Sequence, residues 1–196
     1  FYENKIKVID RTAIVTPDSE VSYAEMLANI RKYAQYVSME KGAKTIVFAE
    51  NCVEWIYSFF SIWQNRGIAI PVDASSTADD VAYIMNDAQP DAIWVTEQTE
   101  AVALEAIKKA GVNTVVLRMD DLTGLRSHEM TKEEGISFED SDVCVILYTS
   151  GTTGFPKGVM LTFYNLLVNI NAISSKEVPI FNKNSSTLIL LPLIEM

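Results

Sequence analysis

Apolar positions along this chain follow two periods, and stretches of each take turns. Thr12-Ala-Ile-Val-Thr16 reads as a short strand closed by Pro17 and Asp18. Ser22 and Glu25 then stand at capping-box spacing, with Val21 and Met26 placed as a hydrophobic staple. Met26, Leu27, Ile30, Ala34 and Val37 keep the spacing of one helical face, predicting a helix to about Glu40 that Gly42 ends. Thr45 to Ala49 is nearly all apolar, the pattern of a strand covered on both faces. Val53 to Trp63 is apolar almost all round and predicts a buried helix, whose aromatic side chains read as core rather than as a ligand box.

The alternation continues beyond it. Ile68 to Val72 is the next strand, and Pro71 within it predicts an edge position or the end of that strand's pairing. Thr77-Ala-Asp-Asp80 caps a helix with the stripe Val81, Ile84, Met85, Ala88, stopped by Pro90. Ala92 to Val95 is a strand, Gln98 to Ala110 a helix ended by Gly111, and Thr114 to Leu117 another strand. After a break come the apolar strand Val143 to Tyr148, a short strand Gly158 to Leu161, and a helix Tyr164 to Ile173 with Leu166, Leu167, Ile170 and Ile173 on one side. Strands alternating with helices of this length predict an α/β fold, a layered and mostly parallel sheet with helices on both faces. The expected organisation is a first α/β block over 1–118, an acidic linker or surface excursion over 119–142, and a unit over 143–196.

Bulk properties narrow the function classes. At 196 residues and 48% hydrophobic the chain can bury a core, and its formal charge of −10 comes without a block of Lys or Arg. Nucleic acid and anionic membrane surfaces need a basic footprint, so neither is expected as partner. Cys52 and Cys144 lie far apart without metal or redox spacing and read as reduced structural thiols. The only histidine, His128, falls in the polar stretch, where a lone imidazole reads as solvated surface rather than catalyst, and no metal cluster is expected. The longest apolar run, Leu188 to Ile194, is far too short to span a bilayer, so a cytoplasmic location is expected. The start at Phe1 and the end just after that run predict a piece of a longer protein, with self-association through the exposed run.

One stretch carries chemistry. Tyr148-Thr-Ser-Gly-Thr-Thr-Gly-Phe-Pro-Lys-Gly158 crowds three glycines, four hydroxyls and one cation into a loop that begins where an apolar strand stops. Glycine lets backbone N–H groups converge on an anion, while hydroxyls add donors and Lys157 adds a full charge, a combination suited to a polyphosphate. An ordinary turn needs only one or two special residues. A Walker A loop is excluded, because Phe155 and Pro156 stand where Gly-Lys-Ser/Thr is required.

Leu147-Tyr-Thr-Ser-Gly-Thr-Thr-Gly-Phe-Pro-Lys-Gly-Val-Met-Leu-Thr162 closely resembles the AMP-binding signature of the adenylate-forming superfamily, which includes acyl-CoA synthetases, peptide-synthetase adenylation domains and firefly luciferases. Asn51 to Ile56, Gly67 to Asp73, Val81 to Asn86 and Leu191 to Leu193 resemble further family segments in family order, and of the subgroups the chain looks most like the fatty acyl-CoA synthetases. The resemblance implies the N-terminal part of a ligase that joins a carboxylic acid to ATP as an acyl-adenylate and passes it to coenzyme A. It implies ATP and Mg²⁺, with coenzyme A or a carrier-protein thiol as acceptor. Alternatives are an adenylation domain for an amino or aryl acid and a non-catalytic nucleotide-binding module. Thr149, Ser150, Gly151, Thr152, Thr153, Gly154 and Lys157 are then the phosphate-binding residues, with Lys157 the catalytic cation. The resemblance places the adenine, ribose and metal ligands and the catalytic C-terminal lysine outside this sequence, so the fragment alone is expected to be inactive. The chain departs from the family pattern at Phe163 and Glu195, each in place of a histidine, and by the resemblance the change at Glu195 bears on acyl preference.

Overall fold

The computed structural model describes residues 11–37, 39–122, 138–149 and 156–173, together with 185, 187, 189 and 193. Strands β1 (Thr12–Val15) and β2 (Glu20–Ser22) form a small antiparallel hairpin. Six further strands make one sheet: β3 (Lys44–Phe48), β4 (Ile68–Val72), β5 (Ala92–Val95), β6 (Val115–Arg118), β7 (Val143–Thr149) and β8 (Lys157–Thr162), in the spatial order β6-β5-β3-β4-β7-β8. All neighbours are parallel except β8, which returns antiparallel along β7. The helices are α1 (Tyr23–Tyr36), α2 (Val53–Gln64), α3 (Ala78–Ala88), α4 (Glu97–Ala110) and α5 (Phe163–Ile173).

The two faces of the sheet bury different helices. Val47, Ala69, Ala92 and Trp94 pack on one side with Met26, Leu27, Ile30 and Tyr33 of α1 and Trp55, Tyr57 and Ile62 of α2. Ile46, Phe48, Ile70, Ile93 and Val95 pack on the other with the stripes of α3 and α4. This alternation of adjacent residues between two buried faces explains why the strands read as continuous apolar runs. The aromatic positions of α2 are packing, as expected: Trp55 stacks on Phe59 with centroids 5.2 Å apart, and Phe59 meets Trp63 at 4.9 Å.

Both capping boxes form. The Ser22 N–H donates to Glu25 Oε2 at 2.8 Å and the Thr77 N–H to Asp80 Oδ2 at 3.0 Å, each satisfying a backbone donor that the helix itself leaves open. These bonds hold both carboxyl groups below the usual carboxylate range. Gly111 ends α4 in the left-handed region at φ +66°, as its position predicted.

Three expectations need correction. Helix α1 stops at Tyr36 rather than near Glu40, and Gly42 does not cap it. At φ +83° Gly42 instead makes the turn into β3, its N–H donating to the Arg66 carbonyl at 2.9 Å. Strand β2 was not foreseen, because three residues ending in a helix cap show too little alternation to register. Strand β4 lies inside the sheet, so Pro71 does not mark an edge. The other half of that expectation fits: β4 pairs with β3 along its length but meets β7 only at Ala69 opposite Val145, so on the β7 side no donor is asked of Pro71.

Around the stretch expected to be a linker, Asp120–Leu122 forms a single 3-10 turn. Met119 and Leu122 are fully buried in the α1 and α2 cluster, and Tyr33 donates its hydroxyl to the Met119 carbonyl at 3.0 Å. His128 lies outside the described residues, as does Glu195.

Candidate functional site

The candidate site is built on the β7 and β8 hairpin. Strand β7 runs parallel to β4, so its last residue, Thr149, stands at the carboxyl end of the parallel strands, where open α/β sheets present their ligand-binding segments. Strand β8 begins at Lys157, and Thr149 and Lys157 are register partners. Directly opposed residues of an antiparallel pair project from the same face of the sheet. The hydroxyl of Thr149 and the exposed ammonium of Lys157 therefore flank the two ends of the segment between them. Ser150, Gly151, Thr152, Thr153 and Gly154, the remaining expected phosphate-binding residues, lie outside the described residues.

The hairpin is gripped from both sides of the sheet. On the α2 side, Trp63 donates its indole N–H to the Cys144 carbonyl at 2.9 Å. Phe163 is buried there, 5.2 Å from Trp63 and stacked on Phe138 at 3.8 Å between centroids. The residue that departs from the family pattern at this position is thus packing. On the α3 side, Ile146 and Tyr148 join the second core cluster. Tyr148 donates its hydroxyl to Asp87 Oδ2 at 2.6 Å, and Tyr83 donates its own to the Pro156 carbonyl at 3.1 Å. Burial, then the bond to Asp87, pushes the Tyr148 hydroxyl well above the usual phenol range, so it stays a neutral donor.

Gly158 has a different task from the one its place in the motif indicated. It lies inside β8, as the expected strand Gly158 to Leu161 has it, in register with Tyr148. A Cβ at Gly158 would stand 3.0 Å from Ile146 Cγ2, 3.1 Å from Tyr148 Cζ and 3.2 Å from the Tyr148 hydroxyl. The missing side chain is the space across which the Tyr148 ring reaches Asp87.

Tyr83, Asp87 and Tyr148 were not singled out from sequence. The spacing of Tyr83 and Asp87 puts them one helical turn apart, but nothing in the sequence says which strand that turn faces. Both thiols are free, and burial pushes Cys52 and Cys144 each up to about 12, which leaves them without nucleophilic character at neutral pH. Among the described residues no group of three or more His, Cys, Asp or Glu side chains could hold a metal ion. Among them, too, no helix is long and apolar enough to cross a membrane.

Comparison with known proteins places the chain in a family. The family model described as AMP-binding enzyme matches residues 2–195. Gramicidin S synthase 2 of Brevibacillus brevis is 30% identical over 171 residues, covering 85% of this chain and 4% of that protein. Long-chain-fatty-acid–CoA ligase 5 of Mus musculus is 29% identical over 210 residues, covering 92% of this chain and 31% of the ligase. Among solved structures, ATP-bound MatB from Rhodopseudomonas palustris superimposes with a TM-score of 0.71 at 25% identity, over 87% of this chain and 35% of that one. The chain thus spans only a third or less of the curated relatives it matches here.

Proposed function

We propose, from the premise that this chain belongs to the AMP-binding enzyme family, that it is the phosphate-holding N-terminal part of an AMP-forming acid-thiol ligase. The parent enzyme activates a carboxylic acid, of which a fatty acid is the class we favour, and transfers it to coenzyme A. Alignment with a long-chain fatty acid ligase over 92% of this chain supports that choice. The observation that carries the reading is the pairing of Thr149 with Lys157 at the carboxyl end of the parallel strands.

The chemistry needs such a pair. A carboxylate oxygen attacks the α-phosphorus of ATP, the bond to the bridging oxygen of the β-phosphate breaks, and pyrophosphate leaves with the electron pair. The acyl-adenylate is a far better acylating agent than the free acid, so one hard step becomes two easier ones. A thiol sulfur then attacks the acyl carbonyl, AMP leaves, and the thiol proton passes to solvent. Charge grows on the leaving pyrophosphate, and a preplaced ammonium with hydroxyl and amide donors stabilises it best. Lys157 supplies the ammonium, Thr149 a hydroxyl, and Ser150, Gly151, Thr152, Thr153 and Gly154 the remaining donors and close approach. Mg²⁺ accompanies ATP, but the described residues include no carboxylate cluster that fits it, and no step is assigned through it.

A second reading is an adenylation domain that loads an amino acid onto a carrier protein, favoured by the 30% identity with gramicidin S synthase 2. The two are separated by incubating the full-length parent with ATP, hydroxylamine and a panel of fatty, aryl and amino acids. Fatty hydroxamates, and a CoA thioester when coenzyme A replaces hydroxylamine, are expected. An amino acid hydroxamate selects the second reading, and ATP binding without any acid-dependent hydroxamate removes both in favour of a non-catalytic module.

A further inference from the structure

Helix α3 is fixed to the sheet by its buried stripe, with Val81 and Met85 fully inaccessible and Ala82, Ile84 and Ala88 nearly so. Its half-buried Tyr83 and exposed Asp87, one turn apart, reach the hairpin at two points. Tyr83 holds the Pro156 carbonyl at 3.1 Å, one residue before β8 begins, and Asp87 holds the Tyr148 hydroxyl at 2.6 Å, one residue before β7 ends. The same helical face thus ties down both strands immediately outside the segment 150–155.

We propose that Tyr83, Asp87 and Tyr148 form a brace that positions Thr149 and Lys157 for ATP without touching the nucleotide; this rests on the ligase reading above. The hairpin itself does not need the brace. Six register pairs join β7 to β8, and Trp63 and Phe163 hold the opposite face. What those contacts leave undetermined is where Thr149 and Lys157 stand relative to the rest of the sheet, and two bonds to a rigid helix determine it, one donated by Tyr83 of the helix and one accepted by its Asp87 from Tyr148. Holding binding groups in place before the ligand arrives lowers the cost of binding, so the brace, through Thr149 and Lys157, acts on ATP affinity and on alignment of the α-phosphorus. Gly158 belongs to the same device, since a side chain there would stand within 3.2 Å of the Tyr148 hydroxyl.

The test uses the full-length parent with Tyr83→Phe and Tyr148→Phe combined, then Asp87→Ala and Asp87→Asn. The two Phe changes remove only hydroxyls, so folding is kept and the melting temperature should fall by less than about 6 °C. Acid-dependent ATP-pyrophosphate exchange should show KM for ATP raised about tenfold, with KM for the acid unchanged. Asp87→Asn, which retains an acceptor, should recover most of the effect that Asp87→Ala produces. Hydrogen exchange of the peptide spanning Thr149 to Lys157 should quicken in the double variant while α3 peptides keep wild-type rates. Wild-type KM for ATP with unchanged exchange of that peptide overturns the brace and leaves the ligase reading standing. Absence of acid-dependent exchange in the wild type overturns the ligase reading, and the peptide measurement then decides by itself whether the brace exists.

Discussion

Replacing Gly158 by alanine should loosen Tyr148 from Asp87, and the contact distances set the size of the effect. The new Cβ stands 3.0 Å from Ile146 Cγ2 and 3.1 and 3.2 Å from Tyr148 Cζ and its hydroxyl. Ordinary van der Waals contact begins at 3.4 Å, so relief demands movements of 3.4 − 3.0 = 0.4 Å, 0.3 Å and 0.2 Å. All three neighbours are side-chain atoms, and the Tyr148 ring yields most readily by swinging its hydroxyl off the carboxylate. Overpacking of this kind costs about 1–3 kcal/mol. Weakening one partly exposed hydrogen bond adds about 0.5 kcal/mol after screening. Removing a glycine from a strand interior returns about 0.5–1 kcal/mol. The net loss is about 0.5–3 kcal/mol, or a fall of about 1–12 °C in melting temperature for a chain of this size. The assay is a thermal or urea melt of the wild type, Gly158→Ala, Tyr148→Ala and the double variant. With the Tyr148 ring gone only the Ile146 contact persists, so the alanine at 158 should then cost less than about 0.5 kcal/mol, giving a coupling of about 1 kcal/mol. Equal costs of Gly158→Ala in both backgrounds would refute the reasoning.

Acid should weaken the fold through two helix caps: bonds from Ser22 and Thr77 hold Glu25 and Asp80 below their unfolded values near about 4, so the stability they contribute is present above the unfolded values and lost as pH falls through the lowered folded ones. Glu25→Gln with Asp80→Asn should therefore lower the melting temperature at pH 6 yet converge on wild type as pH falls through the lowered folded values of both carboxyls, and an offset that does not shrink with acid contradicts the assignment. Thr152→Val and Thr153→Val in the parent should each cost about 1–3 kcal/mol in kcat/KM for ATP, the loss of one donor to a charged group, and wild-type values would leave the segment acting through its backbone alone. Val159 and Met160 on β8 and Tyr164, Val168 and Ile170 on α5 are exposed, so this chain should self-associate at high concentration, which Met160→Lys should reverse. Light scattering checks it, and a strictly monomeric wild type rules it out.

Much of the architecture was legible because each element announced itself locally. Thr77 with Asp80 spelled a cap, the stripe from Val81 to Ala88 a face, and Gly111 a left-handed end. The segment proposed to hold phosphate stands out in the sequence for another reason: ten consecutive residues of unusual composition have few uses. The failures share a cause too. Pro71 was read by its own chemistry, but its position depends on how far β4 runs beside β7, a fact that lies in neither strand. Gly42 was assigned to the helix before it because nothing local shows that its N–H is claimed by Arg66. Gly158 was counted with the glycines of the loop, whereas its reason for being glycine is the ring of Tyr148 across the ladder. Contacts between residues distant in sequence, such as Tyr83 with Pro156 or Trp63 with Cys144, have no periodic signature at all.

The central claim is that Lys157, placed opposite Thr149, holds the phosphates of ATP while a carboxylic acid displaces pyrophosphate. Acid-dependent ATP-pyrophosphate exchange in the full-length parent, wild type against Lys157→Ala, tests it most directly. Lys157 is exposed at the end of a hairpin, so its removal should leave the circular dichroism spectrum and melting temperature unchanged. The account predicts exchange with a fatty acid in the wild type, and in the variant a loss of about 10²-fold or more, as for deletion of one transition-state donor. Wild-type exchange by a normally folded Lys157→Ala protein would contradict it.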